Sequence, residues 1–169
     1  MKSLKDFKIG IICGGWSTER DISLKSGEAV FKCFSENGYK PKLIDLVSKD
    51  MATVEKTYED IDLAFILVHG RGGEDGYLQN YLDQINVIYT GSNAISSKLG
   101  MNKIATKKTW QKLNICTPDF IELNENNIED ILNLSKKVVI KPASEGSSFG
   151  ISIIAVSYTH LTLPTNDVV

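Results

Sequence analysis

Along the first hundred positions, short unbroken apolar runs alternate with stretches whose apolar residues recur at helical spacing. Lys8 to Cys13 is isoleucine-rich and ends in Gly14-Gly15, the pattern of a strand buried on both faces. A polar loop, Trp16 to Asp21, follows. Leu24, Ala29, Val30, Cys33 and Phe34 then keep a helical period, with Asp21 or Ser23 available as amino cap and Gly38 as carboxyl stop. Further strands are predicted at Lys42 to Leu46, Leu63 to Val68 and Val87 to Tyr89, with a helix from about Tyr77 to Gln84. Ser92 and Asn102 can each cap a helix, and Gly100 separates the two. Alternating elements of this kind imply an α/β fold: a mostly parallel sheet covered by helices.

The pattern changes after Thr117-Pro118. Phe120 to Leu123 and Val138 to Ile140 read as strands flanking a short helix near Ile128 to Leu134, and another extended run covers Ile151 to Ile154. A domain boundary is expected between residues 95 and 117. Lys103, Lys107, Lys108 and Lys112 carry the densest charge and read as a solvated helix face.

Composition narrows the function classes. A length of 169 residues suits one domain, or one domain and part of a second. With 42% hydrophobic and 24% charged residues the chain has an ordinary globular composition, and no apolar run approaches the ~18 residues that span a bilayer. Met1 to Phe7 lacks the apolar centre of a secretory signal, so a cytoplasmic location is the expectation. Cys13, Cys33 and Cys116 form no CxxC pair and read as small buried hydrophobes in a reducing compartment. A net charge of -2 gives no general attraction to nucleic acid or to an anionic membrane, so any phosphate site must be local.

The densest candidate chemistry lies in three loops. His69-Gly70-Arg71-Gly72-Gly73-Glu74-Asp75-Gly76 leaves the third strand, where ligands of open α/β sheets bind, and its glycines let the backbone approach a ligand closely. Tight strand-to-helix turns use glycine for geometry as well, so the loop alone does not decide. Glu19-Arg20-Asp21 follows the first strand; a carboxylate there could hold an ammonium group, balanced by Arg20 or His69, while in isolation such residues are ordinary surface charges. Lys141 to Gly150 places a lysine after an apolar strand and then a loop of small residues able to fold over phosphate oxygens, the plain alternative being an exposed hairpin. Neither GxxxxGK[ST] nor GxGxxG occurs. That counts against the common P-loop and a nicotinamide-binding domain, and leaves Asp45 as a structural or capping residue.

Taken together, four blocks resemble the D-alanine-D-alanine ligase family of ATP-grasp enzymes: Gly14 to Gly27; His69 to Gly76; Tyr89-Thr90-Gly91-Ser92 through Met101-Asn102-Lys103 and Thr106-Lys107; and Lys141 to Gly150. They span about residues 8 to 154. The resemblance implies a Rossmann-like amino-terminal substrate domain over residues 1–98 and the beginning of an ATP-grasp domain over 99–155. It implies phosphoryl transfer from ATP to one D-alanine, then attack by the amine of a second. Glu19 would meet the ammonium of the first D-alanine, with His69 and Ser148 in the same pocket and Glu19 and Ser148 counted as catalytic. Lys103, Lys141, Glu145, Gly146, Ser147 and Ser148 would serve the nucleotide. Positioning and charge neutralisation carry such chemistry more than acid or base groups do.

Two departures are local: Asn102 where the family usually has Asp, and Phe149 where it usually has Val. A larger one begins near Ala155, beyond which residues 156–169 match nothing expected and read as a non-native tail. The family's remaining portion supplies an arginine and the Asp, Glu and Asn ligands of two Mg2+ ions. The expectation is therefore an amino-terminal ligase fragment, inactive alone and part of a homodimer when full length. A D-alanine-D-lactate or D-alanine-D-serine ligase, and a non-catalytic nucleotide-binding or dimerising module, are the alternatives.

Overall fold

The computed structural model describes residues 3–49, 58, 60–124, 126, 127, 130, 137–147 and 150–155. The helix expected near Ile128 to Leu134, the tail from Val156 and the candidate Ser148 lie outside the described residues. The chain divides into two compact units, Met1–Asn102 and Lys103–Val169. Among the described residues no helix is long and apolar enough to cross a membrane.

The first unit is built on β1 (Ile9–Gly14), α1 (Arg20–Glu36), β2 (Lys42–Leu46), β3 (Leu63–Ile66), α2 (Tyr77–Gln84), β4 (Ile88–Tyr89) and α3 (Ala94–Met101). Its four strands are all parallel, in the order β2-β1-β3-β4. Because β1 is interior, all six of its residues are buried, as its unbroken apolar run requires. One face of β1 presents Ile12 to a core that includes Ile44, Leu46, Ala64, Leu78 and Leu82. On the other face Cys13 meets α1, whose Gly27 admits it: a Cβ there would stand 2.5 Å from the Cys13 sulfur. Each fully buried isoleucine of β1 contributes roughly 1.5–3 kcal/mol relative to exposure.

Several local expectations shift. Helix α1 begins at Arg20 with Glu19 at the cap position, not Asp21 or Ser23, and its buried residues are Ser23 and Gly27, whereas Ala29 and Cys33 are exposed. Close helix-to-strand approach selects small residues, so the apolar period alone points to the wrong edge of that face. Of the cysteines only Cys13 is buried; Cys33 and Cys116 are exposed. Helix α3 is capped by Asn93, whose side chain accepts from Ser96 N at 2.9 Å, and not by Ser92. Gly100 lies inside α3, and the break falls at Asn102.

The second unit contains α4 (Lys103–Lys112) and a hairpin of β5 (Lys137–Ile140) and β6 (Ser152–Ala155), paired antiparallel from Ile140 with Ser152 to Lys137 with Ala155. Phe120 to Leu123, expected as a strand, is irregular: no described strand pairs with it, and apolar content without a ladder partner does not make a sheet. It is held from α4 instead. Lys107 Nζ donates to Thr117 Oγ1 at 2.9 Å and Pro118 O at 2.6 Å and sits 5.1 Å over the Phe120 ring, and Lys108 pairs with Glu122 at 2.9 Å. The lysine face of α4 is thus an anchoring face as much as a solvated one.

Candidate functional site

The strand order creates a crevice. The chain leaves β1 toward β2 on one side, while β3 continues to β4 on the other, so the loops after β1 and β3 diverge from adjacent strands. Ligands of open parallel sheets bind at such a switch point. Glu19 arrives there from the first loop and His69 from the second.

Ser17 joins the two loops. Its hydroxyl donates to the His69 carbonyl at 2.7 Å and accepts from the Glu19 backbone N-H at 3.1 Å. Ser23, fully buried, adds a second stitch by accepting from Gly14 N at 2.8 Å and donating to Leu67 O at 2.6 Å. The carboxylate of Glu19 reaches Gly70, whose left-handed backbone (φ 68°) leaves no side chain in the way; a Cβ at residue 70 would lie 3.1 Å from Glu19 Oε2. Although Glu19 occupies the cap position of α1, its side chain makes no capping bond. A carboxylate at a helix amino terminus lies at the positive end of the helix dipole, and one that makes no capping bond suits a cation.

Arg20 does not balance Glu19. Its guanidinium forms two parallel bonds to Asp45, NH1 to Oδ1 at 2.9 Å and NH2 to Oδ2 at 2.6 Å, and NH1 also donates to Gly15 O at 3.0 Å. The side-chain bond to Asp45 raises the Arg20 pKa above its ordinary value. Asp45 is therefore a structural partner that ties the end of β2 to the start of α1.

His69 stands over an open cleft of about 420 Å³ that Glu74, Gln79, Thr90 and Ser96 also line. Its Nδ1 lies 3.8 Å from Glu74 Oε1, and its Nε2 is buried with no hydrogen-bond partner among the described residues. The glycine loop folds on itself through Gly73 N to Gly70 O at 3.2 Å and Glu74 N to Gly70 O at 2.8 Å. Gly76, left-handed at φ 86°, then turns the chain into α2.

In the second unit the candidate phosphate residues gather on one loop. Lys103 N donates to Ala143 O at 2.9 Å and Lys103 Nζ to Glu145 O at 2.6 Å, which fastens the start of α4 to the segment after β5. Lys141 follows β5 directly and is exposed, a solvent-facing charge beside Pro142. Glu145 and Gly146 are half-buried, and Ser147 is exposed with a left-handed backbone at φ 54°. Two ammonium groups, one at the start of α4 and one on a loop of small residues, suit a polyphosphate in charge and donor type. Among the described residues no group of three or more His, Cys, Asp or Glu side chains is placed to hold a metal ion.

Three contributors escaped the sequence reading. Ser17 and Ser23 bond across tens of residues, which no local pattern reveals. Gln79 left a trace: it is a polar residue at an interior position of α2, beside Leu78 and one turn from Leu82.

Comparison with known proteins adds independent findings. Residues 46–92 match the family described as D-ala D-ala ligase N-terminus. The chain is 42% identical over 155 residues to a D-alanine-D-alanine ligase of Carboxydothermus hydrogenoformans, covering 87% of this chain and 49% of the relative. It is 43% identical over 159 residues to that of Geotalea uraniireducens, again over 49% of the relative. The chain thus spans about half the length of the curated relatives it matches. Among solved structures, a D-alanine-D-alanine ligase from Bacillus anthracis superposes with a TM-score of 0.79 at 37% identity, over 89% of this chain and 50% of that one. A D-alanine-D-alanine ligase from Bacillus anthracis complexed with ATP gives a TM-score of 0.76 at 33% identity.

Proposed function

We propose, on the premise that this chain carries the amino-terminal region of the D-alanine-D-alanine ligase family, that it serves the ATP-dependent joining of two D-alanines through a D-alanyl phosphate. The observation that carries the reading is the Glu19 carboxylate, which makes no capping bond and whose backbone N-H is tied through the Ser17 hydroxyl to the His69 carbonyl at the same end of the sheet. Glu19 receives the ammonium of the first D-alanine with His69 beside it, and Ser148 serves as a substrate residue on the strength of the resemblance. Lys103 and Lys141, with Glu145, Gly146, Ser147 and Ser148, hold the nucleotide. ATP supplies the phosphoryl group that activates the carboxylate; the lysines neutralise charge on its phosphates, which is the principal demand of phosphoryl transfer. Mg2+ belongs to the same reading, its ligands lying outside the residues described here.

A chimera tests this. Residues 8–155 replace the matching half of the Carboxydothermus hydrogenoformans ligase, and phosphate release is followed with and without D-alanine. D-alanine-dependent release that falls by about two orders of magnitude or more in Glu19→Gln is the expected result, because a fixed charge on a substrate ammonium is lost. A folded chimera that binds ATP yet stays silent with D-alanine overturns the reading; turnover only with D-lactate or D-serine as second substrate shifts it to the neighbouring specificities.

A further inference from the structure

Gln79 sits where an apolar residue would pack more cheaply. It is 5% exposed on α2, next to Leu78 and one turn before Leu82, both fully buried. Its Nε2 donates to the Gly73 carbonyl at 2.6 Å, while its Oε1 is buried without a hydrogen-bond partner among the described residues. A buried acceptor left unmet costs about 1–3 kcal/mol, so the amide needs a reason beyond filling space.

Gly73 supplies that reason. It stacks directly on the Val68 carbonyl, close enough that any Cβ at 73 would collide with it. Val68 precedes His69, so a displacement of Gly73 is passed to the residue that carries the imidazole. The backbone bonds of the loop close it on Gly70 and Gly72, but the side-chain tie from α2 to the Gly73 carbonyl is the Gln79 amide. Gln79 and His69 line the same cleft, each with a buried polar atom unmet.

We propose that Gln79 is a positioning residue: by gripping the Gly73 carbonyl it fixes where His69 stands in the cleft that both residues line. The functional weight of this role rests on the ligase reading, which puts His69 in the substrate pocket.

The test reads the His69 ring in the 169-residue chain by nuclear magnetic resonance, with His160 as the reference imidazole in the same spectrum. Gln79→Met keeps length and apolar volume but removes both hydrogen-bonding groups; Gln79→Glu keeps the one oxygen and replaces the donor nitrogen with a second oxygen. Both are expected to displace the His69 ring signals while the β1 and β2 amides stay in place, and unchanged His69 signals in a folded variant overturn the proposal. If both variants fail to fold, side-chain amide exchange of Gln79 in the unmodified chain decides: slow exchange supports the grip on Gly73, and solvent-rate exchange overturns it. In the chimera, Gln79→Met should lower kcat/KM for D-alanine by about tenfold and leave the KM for ATP unchanged. A silent unmodified chimera with a displaced His69 in Gln79→Met sinks the ligase reading and supports the positioning; an active chimera with an unmoved His69 sinks the positioning alone.

Discussion

Ser17 holds His69 in place from 52 positions away: its hydroxyl donates to the His69 main-chain carbonyl at 2.7 Å, and the same oxygen receives the Glu19 amide. One small side chain thus sets both candidate substrate residues in a common frame. Ser17→Ala should cost about 1 kcal/mol of stability, the usual worth of such a bond. Urea unfolding measures it, and a variant indistinguishable from the parent would show that the loops are held by other means.

Ser23→Ala should be worse, at about 2–3 kcal/mol, because it leaves both Gly14 N and Leu67 O unmet in the interior. The ranking is the test: equal losses for the two serines would contradict the difference in burial.

Much of the frame that these serines stitch together was legible in the sequence. The isoleucine run gave β1, and the spacing from Tyr77 to Gln84 matches α2 residue for residue, since both signals are local periodicities. The glycine-rich loop after β3 lies at the end of the sheet where Glu19 meets Gly70. What could not be read was who bonds to whom. Arg20 turns to Asp45 rather than Glu19, a choice made by the pairing of β1 with β2. Lys103 finds a carbonyl 42 positions later for the same kind of reason. The strand expected at Phe120 to Leu123 fails on a related ground, for hydrophobicity is a property of a segment and a ladder is a property of two.

Arg20→Lys should lose the paired bonds to Asp45 and no more than about 1 kcal/mol, because both side chains are over a third exposed and the attraction is screened. The loss should shrink as salt rises. Denaturation in low and high salt checks this, and a salt-independent deficit would point to packing rather than charge.

Burial is the main cause that pushes the Tyr58 phenol well above its ordinary value, with electrostatic repulsion from the neighbouring Tyr81 phenol adding to it. In the folded chain it therefore keeps its proton to higher pH than in the unfolded chain, which releases it near pH ~10. Its contribution is complete below that point and drains away as pH rises beyond it. Tyr58→Phe should flatten this alkaline loss. It should also raise stability at neutral pH by up to ~1–2 kcal/mol, since the hydroxyl is buried with no partner among the described residues. Identical alkaline slopes for the two proteins would count against the assignment.

Thiol titration offers a separate check on the core. Burial first, then the Asp45 carboxylate, raises the Cys13 pKa, and the residue is 1% exposed. Cys33 and Cys116 should react promptly with a disulfide reagent, and Cys13 only as fast as the chain opens. A burst of three thiols in native buffer would be incompatible with β1 in the middle of the sheet.

The interior place of β1 also governs how the chain is made. A strand flanked by β2 and β3 lacks one or both neighbours until residues 42 to 66 have left the ribosome, and its isoleucines stay partly wet meanwhile. Nascent chains that stall before that point display a sticky, unpaired ribbon, the sort of segment that chaperones shield. The fold therefore places this hazard in the interval between the synthesis of β1 and that of β3, and pairing with both neighbours ends it.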